Sequence, residues 1–498
     1  MKKLILVISV LIICLLVVVY LGLSQSSRFN NFVFTNVVNP YNPLKAQISQ
    51  PIKKQSQQYE SWDDPRGLFP IFAYNVPDGT KDLSASLKII EKGGINIIIN
   101  ANLGWMPDPN NLRQAFKELG DSDLRWIAIL ENECKDDFIY FNSNNESNKH
   151  IKTYLEEFND EFVYGWYIWD EPGNNRKFCT PFNLFPNDDY EDIDRMVKQI
   201  RSDSSFSKKL GYVNLFPTYW QETPTEEAYE DYIDAFILSQ QYKPRVLSFD
   251  HYPLLVKKAG GFRKDYFLNL KIIRKKSLEY NIPFWMVVLS SEHLSYKEPT
   301  FEEICFQVYS ALAYGAKGIG YYLYSKSFTK LGYSSWILED YVDNPNVADS
   351  LHGPLFVPVQ ELNQNVQKIG QILSKLKSVE VIHPSDYPNK QLNINESIFV
   401  KNKPNSVIKE ITNNNDAEVL PKILIGVFSA DDGINTNEKY LLIVNKDVKS
   451  ESNVKIRLDK IYSIYKFDAD ADKYSIISTN QFIDLIINPG DSELIFLE

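Results

Sequence analysis

A chain of 498 residues, 44% hydrophobic and 13% aromatic, has apolar mass for one large core and a second, smaller one. Its formal net charge of −11, with no basic stripe, excludes nucleic acid as a partner, because neutralising phosphates takes clustered Lys and Arg. With 4 cysteines and 5 histidines, none clustered at metal-ligand spacing, no metal and no cofactor are expected.

Lys2 and Lys3 precede an apolar run from Leu4 to Leu23, and polar Ser24 to Ser27 follow. The run is long enough to span a bilayer. Two readings of residues 1–24 stay open: an uncleaved membrane anchor through 4–23, or a signal peptide removed near Ser24 to Ser27. Both leave the positive end inside and place the bulk of the chain outside the cytoplasm, secreted or anchored. Residues 25–65 are rich in Asn, Gln and Ser and read as a linker and lead-in.

From residue 66 short apolar runs alternate with segments of helical period, the pattern of repeated βα units. Strands are expected at 68–75, 95–101, 124–130, 163–169, 210–216, 246–251, 284–290 and 318–324. Helices are expected between them at 82–92, 110–119, 148–159, 188–202, 226–240, 264–279 and 301–314, with a last one at 358–377. Several strands are apolar at consecutive positions, as parallel strands covered on both faces require. Eight such units predict a (β/α)8 TIM barrel over 66–384. An open doubly wound sheet is the runner-up, but no Gly-rich phosphate loop follows the first strand. Residues 385–498 change texture: strand-like runs at 422–428, 439–444, 453–458, 462–466, 473–477, 482–487 and 492–497 predict a small all-β sandwich domain.

In such a barrel the chemistry sits at the C-terminal ends of the strands. The fourth strand runs through Gly165-Trp166-Tyr167-Ile168-Trp169 into Asp170, Glu171 and Pro172. Proline ends the strand there and biases its neighbour toward an extended conformation, setting Glu171 at the rim. The seventh strand leads through Ser290 and Ser291 to Glu292 and His293. Two carboxylates across a barrel axis suit glycosidic cleavage, one protonating the leaving oxygen and the other attacking the anomeric carbon or activating water. Glu298, before Pro299, competes with Glu292 but sits where a helix begins. Asn102, Asn214, Asp250, His251, Tyr252, His293 and Tyr321 fall at other strand ends, and with Asp170 they are the expected sugar contacts. Trp220 is the best stacking candidate, whereas Trp126, Trp166 and Trp285 lie inside strands and read as core. Cys134 and Cys179 fall in loops after neighbouring strands and are candidates for one disulfide in an oxidising compartment.

These residues resemble the clan A glycoside hydrolases, in which an acid/base Glu follows the fourth strand, commonly as Asn-Glu or Asn-Glu-Pro, and a nucleophile Glu follows the seventh. Here Asp170-Glu171-Pro172 and Glu292 occupy those places. His251-Tyr252 is similar to the family 5 His-x-Tyr of the sixth strand. The run from Tyr309 to Tyr322 resembles the helix-to-strand join of family 42 β-galactosidase-like barrels, and 385–498 resembles their appended β domain. The resemblance implies a retaining enzyme cutting an oligo- or polysaccharide, with Glu171 as acid/base and Glu292 as nucleophile. Asp170 departs from the usual Asn: an ionised carboxylate can accept a bond from a sugar hydroxyl but cannot donate one. Two other readings are a non-catalytic carbohydrate-binding surface protein on a barrel scaffold and a different barrel hydrolase or lyase, for which a metal held by Asp250, His251 and His293 would be the sign.

Overall fold

The computed structural model describes residues 64–74, 83–99, 109–128, 152, 155–173, 189–220, 225–325, 334–335, 337–338, 352–384, 398–400, 406–414, 420–430 and 438–498. The expected anchor or signal (1–24), Asn102, Cys134 and Cys179 lie outside them. Among the described residues no helix is long and apolar enough to cross a membrane.

Eight parallel strands close into a barrel in sequence order: β1 Ile71–Tyr74, β2 Ile97–Ile99, β3 Arg125–Ala128, β4 Val163–Asp170, β5 Leu210–Leu215, β6 Leu247–Asp250, β7 Phe284–Leu289 and β8 Ile319–Tyr322. Among the described residues, helices in the connections and after β8 include α1 Leu83–Lys92, α2 Pro109–Leu119, α3 Asp189–Ser202, α4 Glu226–Leu238, α5 Tyr266–Tyr280, α6 Phe301–Tyr314 and α7 Phe356–Ser374. The ends of α6 are set locally. Thr300 and Glu303 form a reciprocal capping box at its start, and Gly315 takes a left-handed φ of 100° at its end.

Each strand divides its side chains between two cores, as a period of two requires. Ile71 and Ala73, Leu247 and Phe249, Met286 and Val288 face the helices. Phe72 and Tyr74, Tyr212, Trp285 and Val287 face the barrel axis. The interior is filled mainly by rings: Trp285 packs 5.3 Å from Phe72 and 6.1 Å from Tyr212, centroid to centroid. Each such fully buried ring contributes about 1.5–3 kcal/mol. Gly320 makes room for them, since a Cβ there would lie 2.1 Å from the Phe72 ring.

The C-terminal β domain forms as expected, but its strands join in one antiparallel sheet. They are β9 Lys377–Ile382, β10 Ile398–Val400, β11 Ile408–Asn413, β12 Ile423–Ser429, β13 Lys439–Asn445, β14 Ser452–Asp468, β15 Lys473–Ile487 and β16 Ser492–Leu497. The path runs β9-β12-β13-β16-β14-β11-β10, with β15 on β14. Ile382 and Ile411, from strands near opposite ends of that path, share one apolar core, so the sheet curls over itself. The runs at 453–458 and 462–466 are one bulged strand, as are 473–477 and 482–487. Lys377–Ile382 belongs to this sheet, so the sheet begins before residue 385 and the last helix ends at Ser374. β12 lies hard against α6, where a Cβ on Gly426 would meet the Ala313 carbonyl at 2.2 Å.

Tyr321, expected at the site, faces the helices. Its neighbour Tyr322 takes the inward position on β8, so Tyr321 is turned away and buried, its hydroxyl donating to Asn363 Oδ1 of α7 at 2.6 Å. Tyr321→Phe is therefore expected to cost about 1–3 kcal/mol in a denaturant titration, because Asn363 loses a buried partner. A midpoint equal to that of the wild type would discount the bond.

Candidate active site

Glu171 and Glu292 both lie at the C-terminal end of the barrel, one after β4 and the other just beyond β7. β4 carries an extra residue: Tyr167 pairs with Tyr212 and Trp169 with Val213, which leaves Ile168 as a bulge. Strict alternation from Tyr167 would bring Trp169 and Glu171 inward. The bulge brings Asp170 inward instead, three residues after Tyr167. Glu171 then leaves the strand at φ 50°, a left-handed conformation in place of the extended one expected before Pro172, its N–H donating to the Asn214 carbonyl at 2.8 Å. It is half-buried, and its charge reaches Tyr229 and Tyr232 of α4. Those hydroxyls gather around Phe216 at the β5 edge of the mouth: Tyr229 donates to its carbonyl, and its N–H donates to Tyr232 at 3.1 Å.

Glu292 is exposed. Ser291–Glu292 pair antiparallel with Ser334–Ser335, and the Glu292 N–H donates to Glu298 Oε2 at 2.9 Å. Glu298, the expected competitor, thus braces the backbone that carries Glu292.

Below these two lies a second carboxylate pair. The Asn214 amide donates to Asp250 Oδ1 at 2.7 Å and to Asp170 Oδ1 at 3.3 Å. Asp250 and Asn214 are buried. Asp170 keeps solvent above it while barrel atoms crowd it from below. That crowding pushes its carboxyl above the usual carboxylate range, against hydrogen bonds from Tyr167 and Asn214. Burial first, and the Asp170 charge second, push Asp250 up to about 7.

Tyr252 and His293, both expected contacts, join Tyr322 in an aromatic wall of the mouth. Tyr252 stacks on Tyr322 at 5.4 Å, and His293 lies 5.3 Å from it. Burial lowers His293 to about 4, so its imidazole is neutral at neutral pH. His251 does not reach the mouth. Asp250 takes the inward position, so His251 faces out and is fully buried between Tyr219 and Tyr266, 3.6 Å from Asp265 Oδ2. Burial lowers its proton affinity too. Asp250, His251 and His293 thus do not converge, and among the described residues no cluster of His, Cys, Asp and Glu could hold a metal. Trp220 closes a short turn, Thr218–Trp220, and its side chain lies outside the described residues. Trp126, Trp166 and Trp285 are core, as expected.

Tyr212, Ser248, Tyr167 and Tyr74, none of them among the expected contacts, form the floor. Tyr212 and Ser248 sit two residues before Asn214 and Asp250, so the strand period could have found them. Tyr167 could not be found that way, because the bulge breaks the period.

The fold and the mouth together define a (β/α)8 barrel with carboxylates gathered at its C-terminal face. No family model and no curated protein matches the chain. Among solved structures, a catalytic mutant of a GH42 β-galactosidase from G. stearothermophilus aligns over 86% of this chain and 98% of its own, with a TM-score of 0.50 at 9% identity. The β-galactosidase from Bacillus circulans sp. alkalophilus covers 87% of this chain and 99% of its own, with a TM-score of 0.42 at 10% identity. At such identities the first likeness establishes the fold and assigns no residue a role.

Proposed function

We propose that the protein is a glycoside hydrolase acting on an oligo- or polysaccharide at the C-terminal mouth of the barrel. The observation that carries this reading is the set of four carboxylates there, Asp170, Glu171, Asp250 and Glu292, with an aromatic wall of Tyr252, His293 and Tyr322 beside them. Acids supply the proton and the nucleophile for cleavage, and rings suit the flat C–H faces of sugars. Glu171 is the proton donor and Glu292 the nucleophile, with retention of configuration. Asp170 accepts a sugar hydroxyl. The apolar run at 4–23 supports export, with the barrel outside the cytoplasm.

A panel of 4-nitrophenyl glycosides and polysaccharides, with product analysis and the anomer followed by NMR, tests the reading. Release of a sugar with retained configuration is the expected result. Binding without any turnover would favour the non-catalytic carbohydrate-binding alternative.

A further inference from the structure

Asn214 is locked in one orientation. Its Oδ1 lies 3.3 Å from the Ser248 hydroxyl, which donates to it. Ser248 Oγ is 2.7 Å from the Tyr212 hydroxyl, and that hydroxyl is 2.9 Å from Tyr74. A hydroxyl has one proton, so if Ser248 gives its own to Asn214 it must accept from Tyr212, which in turn accepts from Tyr74. The donors run in one direction, Tyr74 to Tyr212 to Ser248 to Asn214. They end on the two amide hydrogens, one for each carboxylate. The shared nitrogen, 2.7 Å from one oxygen and 3.3 Å from the other, holds the two carboxylates within about 6 Å. Two anions this close in a crowded barrel repel, and one proton between them relieves it.

We infer that Asp250 is a positioning residue for the reaction: it and Asp170 hold one proton between them across Asn214, which leaves Asp170 as the single anionic acceptor in the floor of the mouth, beside Glu171. The role in turnover rests on the glycosidase reading; the shared proton does not.

The phenols facing the pair do not compete for that proton. Tyr74 from β1, Tyr167 from β4, Tyr212 from β5, Tyr219 from the turn after β5, Tyr229 from α4 and Tyr252 after β6 are phenols whose proton affinities burial raises. Glu171 reaches the same Tyr229 as Asp250 does, and His251 turns to Asp265.

The experiment is the thermal midpoint of the full chain against pH, for the wild type, Asp250→Asn and Asp170→Asn. A carboxyl whose folded-state proton affinity is raised contributes fully below its unfolded value of about 3.9, and that contribution is lost as pH rises through about 7. The wild type should therefore lose several degrees relative to Asp250→Asn across that window. In Asp170→Asn the fall should move to lower pH, because Asp250 no longer faces a like charge. A wild-type difference from Asp250→Asn that stays constant across the window overturns the shared proton.

The second readout is the pH profile of kcat/KM on whichever 4-nitrophenyl glycoside the panel finds active. Asp250→Asn should keep the acid limb and move the alkaline limb upward, since it has no proton to lose. An unmoved alkaline limb overturns the positioning role. Failure of the glycosidase reading leaves the thermal measurement standing, so the two are separable.

Discussion

Glu292→Gln is expected to abolish turnover of every glycoside the protein accepts, while Glu171→Gln is selective. Glu292 is read as the group that attacks the anomeric carbon, and an amide cannot replace its charge. Glu171 is read as the proton donor, a role that contributes roughly 10²–10⁴-fold to catalysis. That loss should be near full for an alkyl or sugar leaving group. It should shrink for 4-nitrophenolate, which leaves without a proton. Both variants should keep the wild-type circular dichroism and thermal midpoint, because Glu292 is exposed and Glu171 half-buried. Comparing kcat/KM, which reports the step that expels the leaving group, on 4-nitrophenyl and alkyl glycosides checks the assignment. Full activity in either variant would remove that residue from the pair.

The second large effect is structural. Gly165→Ala should destabilise the chain by about 1–3 kcal/mol or more. Its Cβ would fall 2.1 Å from the Leu210 carbonyl oxygen on the neighbouring strand, and backbone cannot swing aside as a side chain can. The strand pair it would wedge apart, β4 and β5, carries Asp170 opposite Asn214. The midpoint of a urea titration should drop, and activity should fall even where the protein remains folded. Gly211→Ala is the control. A Cβ there meets Ile168 Cδ1 at 2.7 Å and Ile200 Cδ1 at 3.3 Å, both ends of flexible side chains, so the cost should be smaller. Equal losses for the two would discount the backbone clash.

Helix boundaries were legible because they depend on near neighbours. The expected 301–314 is α6 to the residue, with Thr300 and Glu303 capping it and Gly315 closing it. Strand starts were legible for the same reason, as in β5 and β7. The β domain is less legible in the sequence. Its long strands bend at bulges that look like turns in sequence. The strands at 377–382, 398–400 and 408–413 fall outside the expected runs.

By itself the sequence determined that eight βα units close a barrel and that carboxylates stand at the ends of β4, β6 and β7, because apolar period and punctuation are local properties of the chain. Which way those residues face was a different matter. Tyr321 and His251 turned out to point away from the mouth because Tyr322 and Asp250 hold the inward positions, and a slip of one residue reverses every face. The bulge at Ile168, which turns Asp170 inward beside Asn214 and Asp250, arises from the pairing of β4 with β5. Pairing joins residues far apart in the chain, so only the tertiary structure could decide it.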